Sequence, residues 1–278
     1  MTEPTLDLES GFLRLRINLA YDGTNFSGWA KQPDLRTLQE EVEKAIGKIS
    51  QTKIESIVAG RTDAGVHASG QVIHVDVPVT INLADLAYKL NRILDTDVRV
   101  LKISIAPASF HARFSALRRH YTYKILDANQ VISPLHRFDV APWYRPLDLK
   151  QLNQASALLL GQHDFAAFCK FREGATTVRE LQSYQWVRDS EGYLLADVVA
   201  DAFCYSMVRN LVGAVVCVAD GRKDQTWISL LLANKERVSD SLVFPACGLT
   251  LTHVEYPASE QLIKCTKLTI GKRENGAY

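Results

Sequence analysis

The sequence predicts an α+β protein built from two ferredoxin-like α/β halves whose strands form a mixed, mainly antiparallel sheet. Three observations carry that expectation. Leu13, Leu15, Ile17, Leu19 and Tyr21 alternate with Arg14, Arg16, Asn18 and Ala20, the period of a strand with one buried face. The segments that follow run strand, helix, strand, strand, helix, strand, which is the order of a ferredoxin-like unit. The second half of the chain repeats that vocabulary without repeating the sequence.

Each element has its own warrant. After the first strand comes a glycine-rich connection, Asp22 to Gly28. A helix is expected to start at Thr37, where Thr37 and Glu40 have capping-box spacing, with a core stripe of Leu38, Val42, Ala45, Ile46 and Ile49. Strands follow at 53–59 and 71–77. Asn82 then caps a second helix carrying Leu83, Leu86, Ala87, Leu90 and Ile93, and a strand at 98–105 completes the first half. In the second half, strands are expected at 118–125, 182–188 and 193–200, helices at 150–160, 206–219 and 225–233, and a closing strand at 249–255. No low-complexity linker divides the halves, so their sheets are expected to be continuous or tightly abutted. The organisation read from this is a flexible start (1–10), an N-terminal half (11–108), a C-terminal half (109–265) and a polar tail (266–278).

Bulk properties restrict the function classes. With 47% hydrophobic and 23% charged residues the composition is globular rather than disordered. A net charge of +1 rules out any argument from overall basicity, so nucleic-acid binding would need a local basic patch. The five cysteines, Cys169, Cys204, Cys217, Cys247 and Cys265, show neither CxxC nor paired Cys/His spacing; reduced, structural thiols are the expectation. No apolar run reaches the roughly 20 residues that span a bilayer. The polar start has no signal-peptide core, and a cytoplasmic location is expected.

Chemistry concentrates in four segments. The first is Gly60-Arg61-Thr62-Asp63-Ala64-Gly65-Val66-His67, a carboxylate on a tight loop directly after an apolar β segment. Two glycines bracket the loop, and Arg61 can meet anionic material. Spacing alone also allows an ordinary turn with Asp63 capping local amides. The second is Tyr21 to Trp29, followed by Gln32. The third, Phe110 to Lys124, interleaves Arg113, Arg118, Arg119, Lys124, His111 and His120 with Phe114, Tyr121 and Tyr123. Cations that hold phosphate beside rings that stack on bases suit an unstacked nucleotide, although a charged strand face with buried tyrosines has the same composition. The fourth, Phe203 to Val216, reads as a buried helix containing Arg209, whose guanidinium needs a partner from elsewhere in the fold.

These segments, with Gln71 and His74 after the loop and Pro245 to Leu249 near the end, resemble the TruA family of tRNA pseudouridine synthases. The matches run in order from Leu15 to Tyr256. Two departures stand out: Ala30 in Trp29-Ala30-Lys31-Gln32, and Asp95 in place of a proline after Leu94. The resemblance implies a pseudouridine synthase fold with a central RNA-binding cleft. It implies isomerisation of uridine to pseudouridine in the anticodon stem-loop of tRNA, at positions 38 to 40, by a homodimer. Asp63 is then the catalytic carboxylate, Arg61 fills the space left by the extruded base or holds the displaced phosphate, Tyr121 packs on the uracil, and Leu249 touches its ring. Arg209 contacts the site, with Asp63 as the partner the resemblance points to. His67 and His74 are expected to be structural. Neither a cofactor nor a metal is implied, and no phosphate-binding, dinucleotide or metal-ligand motif occurs. Two rivals rank below this reading. One is a catalytically inactive tRNA-binding protein; the other is a glycosidase, which would normally need two carboxylates.

Overall fold

A computed structural model describes residues 11–170, 176–234, 242–258, 261–262 and 266. The expected flexible start and nearly all of the polar tail lie outside the described residues. The chain divides into two compact units: one comprises residues up to Leu117 together with those from Thr252, the other Arg118–Leu251.

The first unit contains β1 (Phe12–Tyr21), α1 (Leu38–Ser50), β2 (Ile57–Val58), β3 (His67–Pro78), α2 (Leu86–Ile93) and β4 (Val98–Ile105). Its strands lie in the order β4-β1-β3-β2, all antiparallel, which is the ferredoxin-like arrangement. Alternation sets the register. Leu15, Ile17 and Leu19 are fully buried, and Leu15 and Ile17 oppose Val75 and Ile73 on β3. On the other face Arg14 opposes Asp76, and its guanidinium forms a two-pronged pair with that carboxylate at 2.8 and 2.7 Å. The same guanidinium donates to the carbonyls of Ala108 and Phe110.

Helix α1 starts where expected, but the capping box does not form. Thr37 is buried and its side chain makes no cap bond. Glu40 pairs with Lys44 instead, at 2.7 Å. The predicted stripe holds at Leu38, Val42, Ala45 and Ile46, while Ile49 is only half-buried. Glu43 is buried unexpectedly: it accepts the amide and hydroxyl of Ser56 at 2.7 Å each and pairs with Lys31. Helix α2 begins later than predicted, because the Asn82 side chain accepts the Ala84 amide in a local turn and Leu83 precedes the helix.

The second unit contains β5 (Arg118–Leu126), β6 (Ala141–Pro142), α3 (Leu149–Ala157), β7 (Gly161–Asp164), β8 (Val178–Arg188), β9 (Leu194–Ala200), α4 (Met207–Ala219) and α5 (Thr226–Ala233). The closing strand, β10 (Leu249–Glu255), begins in this unit. With β10 beside β5, the core order is β10-β5-β9-β8, the same arrangement as in the first unit. The short strands β6, parallel to β5, and β7, antiparallel to β8, are additions that the sequence did not announce. Helix α4 is buried around almost its whole circumference, as its apolar run predicts, and α3 packs against α4 and β8.

The cysteine expectation needs correction. Cys169 and Cys204 are joined as a disulfide, with Cα atoms 5.7 Å apart. The fold brings them side by side: the Lys170 amide donates to the Tyr205 carbonyl, and the Asn210 side chain donates to the Phe168 carbonyl. Cys217 and Cys247 are free thiols, and Cys265 lies outside the described residues. No helix among the described residues is long and apolar enough to cross a membrane.

His74 on β3 is a satisfied structural histidine, as expected. It is buried, and its Nδ1 accepts the Ala112 amide at 3.0 Å. Burial, with the Arg14 guanidinium adding to it, pushes its imidazole down to about 3. An unfolded chain binds that proton near pH 6.5, so unfolding takes up a proton between about pH 3 and 6.5, and stability falls as pH drops through that window. His74→Gln is therefore expected to remove about 2 kcal/mol of the stability lost between pH 7.5 and 5, read from urea unfolding of both proteins.

Candidate active site

Asp63 sits on a loop that leaves the first-unit sheet just after β2. The ladder runs on through the Ala59 amide to the Val72 carbonyl before the chain breaks away at Gly60. The Val66 amide donates to the Asp63 carbonyl at 3.2 Å, and Gly65, at φ +75°, makes the left-handed step that this turn requires. Burial alternates along the loop: Arg61 is exposed, Thr62 buried, Asp63 half-buried and Ala64 exposed. The half-buried carboxylate is thus carried on a backbone braced by hydrogen bonds.

The glycine-rich segment after β1 packs directly on this loop. The Trp29 amide donates to the Thr62 carbonyl at 3.0 Å, and the Gly65 amide donates to the Phe26 carbonyl at 3.2 Å. Two glycines make the approach possible. A Cβ on Gly23 would run into the Val66 backbone, and one on Gly28, already at φ +93°, would lie 2.9 Å from the Thr62 carbonyl oxygen. His67 is buried and structural here: its Nδ1 accepts the Gly23 amide at 3.0 Å, beside an Asp22 carboxylate oxygen. Below the loop, Tyr21 is buried with its hydroxyl 2.8 Å from Thr62 Oγ1, and burial pushes its phenol up to about 12, which keeps it protonated. The two segments that looked separate in the sequence are therefore one object.

The other predicted residues belong to the second unit. Tyr121 is on β5, opposite Val198 of β9; its ring is 6% exposed and meets Phe203 edge-on, centroids 5.1 Å apart. Arg209 is in the first turn of α4. Its Nε donates to the Phe244 carbonyl at 2.7 Å, and the Phe244 amide donates to the Arg209 carbonyl at 3.2 Å. Leu249 is buried at the start of β10, its amide donating to the Ala246 carbonyl at 2.9 Å. Arg209 and Leu249 are thus joined through the 244–249 segment.

Sequence reasoning missed how that segment is held. Tyr123, two residues from Tyr121 on the same strand face, is fully buried and belongs to the core. Its hydroxyl donates to the Pro245 carbonyl at 2.6 Å, and its ring leaves no room for a Cβ on Gly248. The basic and aromatic run of 110–124 also sorts by the strand. Arg113 and Arg118 are exposed; Arg119 is buried and donates to the Asp201 carbonyl; Lys124 lies over the Tyr193 ring at 4.2 Å. His111 stacks on Phe114 at 4.4 Å.

Among the described residues, Glu41, Asp95 and Asp97 gather at distances that could suit a metal ion, but the Arg36 guanidinium pairs with all three. Burial of the Arg36 charge is outweighed by its bonds to Asp97 and Glu41, which hold its pKa above the usual arginine value.

Comparisons with known proteins bear on the family of this chain. A family profile described as tRNA pseudouridine synthase matches residues 18–115 and 155–257. A protein of Frankia casuarinae called tRNA pseudouridine synthase A is 49% identical over 263 residues, covering 94% of this chain and 96% of that protein. A protein of Cutibacterium acnes with the same name is 50% identical over 253 residues, covering 90% and 91%. Among solved structures, the chain has a TM-score of 0.37 and 12% identity to an archaeal box H/ACA sRNP Nop10-Cbf5 complex, covering 98% of this chain and 59% of that one. The chain belongs to the tRNA pseudouridine synthase family. It is accordingly an isomerase acting on tRNA uridine.

Two substitutions test the architecture. Gly23→Ala forces the two loops apart and is expected to cost about 1–3 kcal/mol, measured by denaturant unfolding. Tyr123→Phe leaves the Pro245 carbonyl without its donor and is expected to cost about 1–2 kcal/mol in the same assay.

Proposed function

We propose that this chain converts uridine to pseudouridine at positions 38 to 40 of the tRNA anticodon stem-loop, with Asp63 as the catalytic carboxylate. The observation that carries the reading is the half-buried Asp63 on a loop braced at Thr62 and Gly65. The reaction breaks the N1–C1′ bond, turns the uracil and forms a C5–C1′ bond, with the C5 proton released to water and one proton taken up at N1. Nothing is oxidised and no water is consumed. A carboxylate serves such a reaction by attacking C1′, by adding to C6, or by removing the C2′ proton to give a glycal. Each route needs a carboxylate oxygen aimed at the nucleoside, and a fixed backbone sets that aim.

The target base must leave its stack first. Arg61, exposed two residues before Asp63, takes the vacated space or the displaced phosphate. Tyr121 covers the extruded ring, Leu249 packs against it, and Arg209 contacts the bound nucleotide. The enzyme acts in the cytoplasm as a homodimer, and basic residues of two chains compensate for the net charge of +1.

Tritium release from [5-³H]uridine-labelled tRNA transcripts tests the reading. Wild type is expected to release tritium, and Asp63→Asn to lose at least about a hundred-fold in rate while binding tRNA within a few-fold of wild type. Parallel loss of binding would make Asp63 structural; no release by wild type, with tight binding, would point to a silent RNA-binding protein. Binding itself should weaken at least about ten-fold between 50 and 200 mM salt, as counterion release requires, in a filter-binding titration.

A further inference from the structure

A chain of buried polar side chains runs from the sheet to the two residues that flank Arg61. Gln71, on β3 opposite Leu19, is fully buried. Its side-chain amide donates to the Gly60 carbonyl at 2.8 Å and to the Tyr21 hydroxyl at 3.1 Å. Both amide hydrogens are thereby used. The Tyr21 hydroxyl is also hydrogen-bonded to Thr62 Oγ1, 2.8 Å away. Thr62 is 7% exposed, and its carbonyl is taken by the Trp29 amide. Gly60 and Thr62 are therefore both tied, through one connected network, to strands β1 and β3, and Asp63 is the next residue along the chain.

Packing alone does not call for this network. Phenylalanine and methionine would fill the positions of Tyr21 and Gln71 with less polar burial, whereas a fully satisfied buried network fixes geometry to a degree that apolar packing does not. We infer that Tyr21, Gln71 and Thr62 are positioning residues that set where the Asp63 carboxylate points, acting through the backbone of residues 60–62. This rests on the reading of Asp63 as the catalytic carboxylate. A misplacement of about 1 Å at a reacting group costs on the order of a hundred-fold in rate.

Tyr21→Phe, Gln71→Met, Thr62→Val and Thr62→Ser, assayed beside wild type and Asp63→Asn, test the inference. The measurement is single-turnover tritium release with saturating enzyme, together with the tRNA Kd and the folded fraction. Tyr21→Phe, Gln71→Met and Thr62→Val are expected to slow the chemical step about ten-fold or more, with Kd within two-fold. Thr62→Ser, which keeps the hydroxyl, is expected to recover most of the loss. The Tyr21→Phe/Thr62→Val double variant is expected to be no slower than the worse single, since both remove the same bond. The inference is overturned if the folded enzyme turns over at the wild-type rate, or if the losses track Kd instead of rate. It is also overturned if serine at position 62 does no better than valine. Should Tyr21→Phe not fold, the Thr62 pair decides alone. Activity retained by Asp63→Asn would instead overturn the reading on which the inference stands, so the two failures are distinguishable.

Discussion

The architecture around Asp63 depends on two backbones coming closer than side chains normally allow. The connection after β1 lies against the aspartate loop, with Gly23 facing Val66 and Gly28 facing Thr62, and neither glycine could carry a Cβ there. Only at that distance can the Trp29 amide reach the Thr62 carbonyl and the Gly65 amide reach the Phe26 carbonyl. The glycines give up side-chain packing and add chain entropy to the unfolded state. In return the loop acquires backbone bonds to the segment after β1.

The second unit meets a similar need with side chains. Its 244–249 segment is tied by Arg209 to the Phe244 carbonyl and by Tyr123 to the Pro245 carbonyl, while Gly213 against the Leu242 backbone and Gly248 against the Tyr123 ring repeat the close approach. Both units have the same strand order and both use glycine at a close approach, yet the second adds side-chain ties from Arg209 and Tyr123. A fold can therefore be used twice without the same residues being needed twice, in keeping with the missing sequence repeat.

Strands and helices were legible wherever one face alternates or a whole segment is apolar. The run Leu13–Tyr21 and the helix around Leu211 follow from periodicity and burial alone. Short polar strands were not legible. Gly161–Asp164 reads Gly-Gln-His-Asp and becomes a strand because β8 offers an edge to pair with. Helix starts misled where a tertiary partner won: Thr37 is buried, and Glu40 turns outward to Lys44. Arg61, Asp63, Tyr121, Arg209 and Leu249 were proposed as site residues from motifs, each local in sequence. The bonds joining Tyr21 to Thr62 or Cys169 to Cys204 were not, since they span 41 and 35 residues and exist only once the strands have paired.

The first unit is not contiguous, and its last piece comes from beyond the second. Within residues 252–258, the Glu255 carbonyl accepts the Leu117 amide, the Tyr256 hydroxyl donates to the Ala112 carbonyl, and the Tyr256 ring lies beneath the Arg16 guanidinium at 4.6 Å. A ribosome makes those residues after the whole intervening unit. A nascent chain therefore holds an aspartate loop long before the segment 110–117 has its anchor. The half of the molecule made first thus waits for residues made near the end of synthesis.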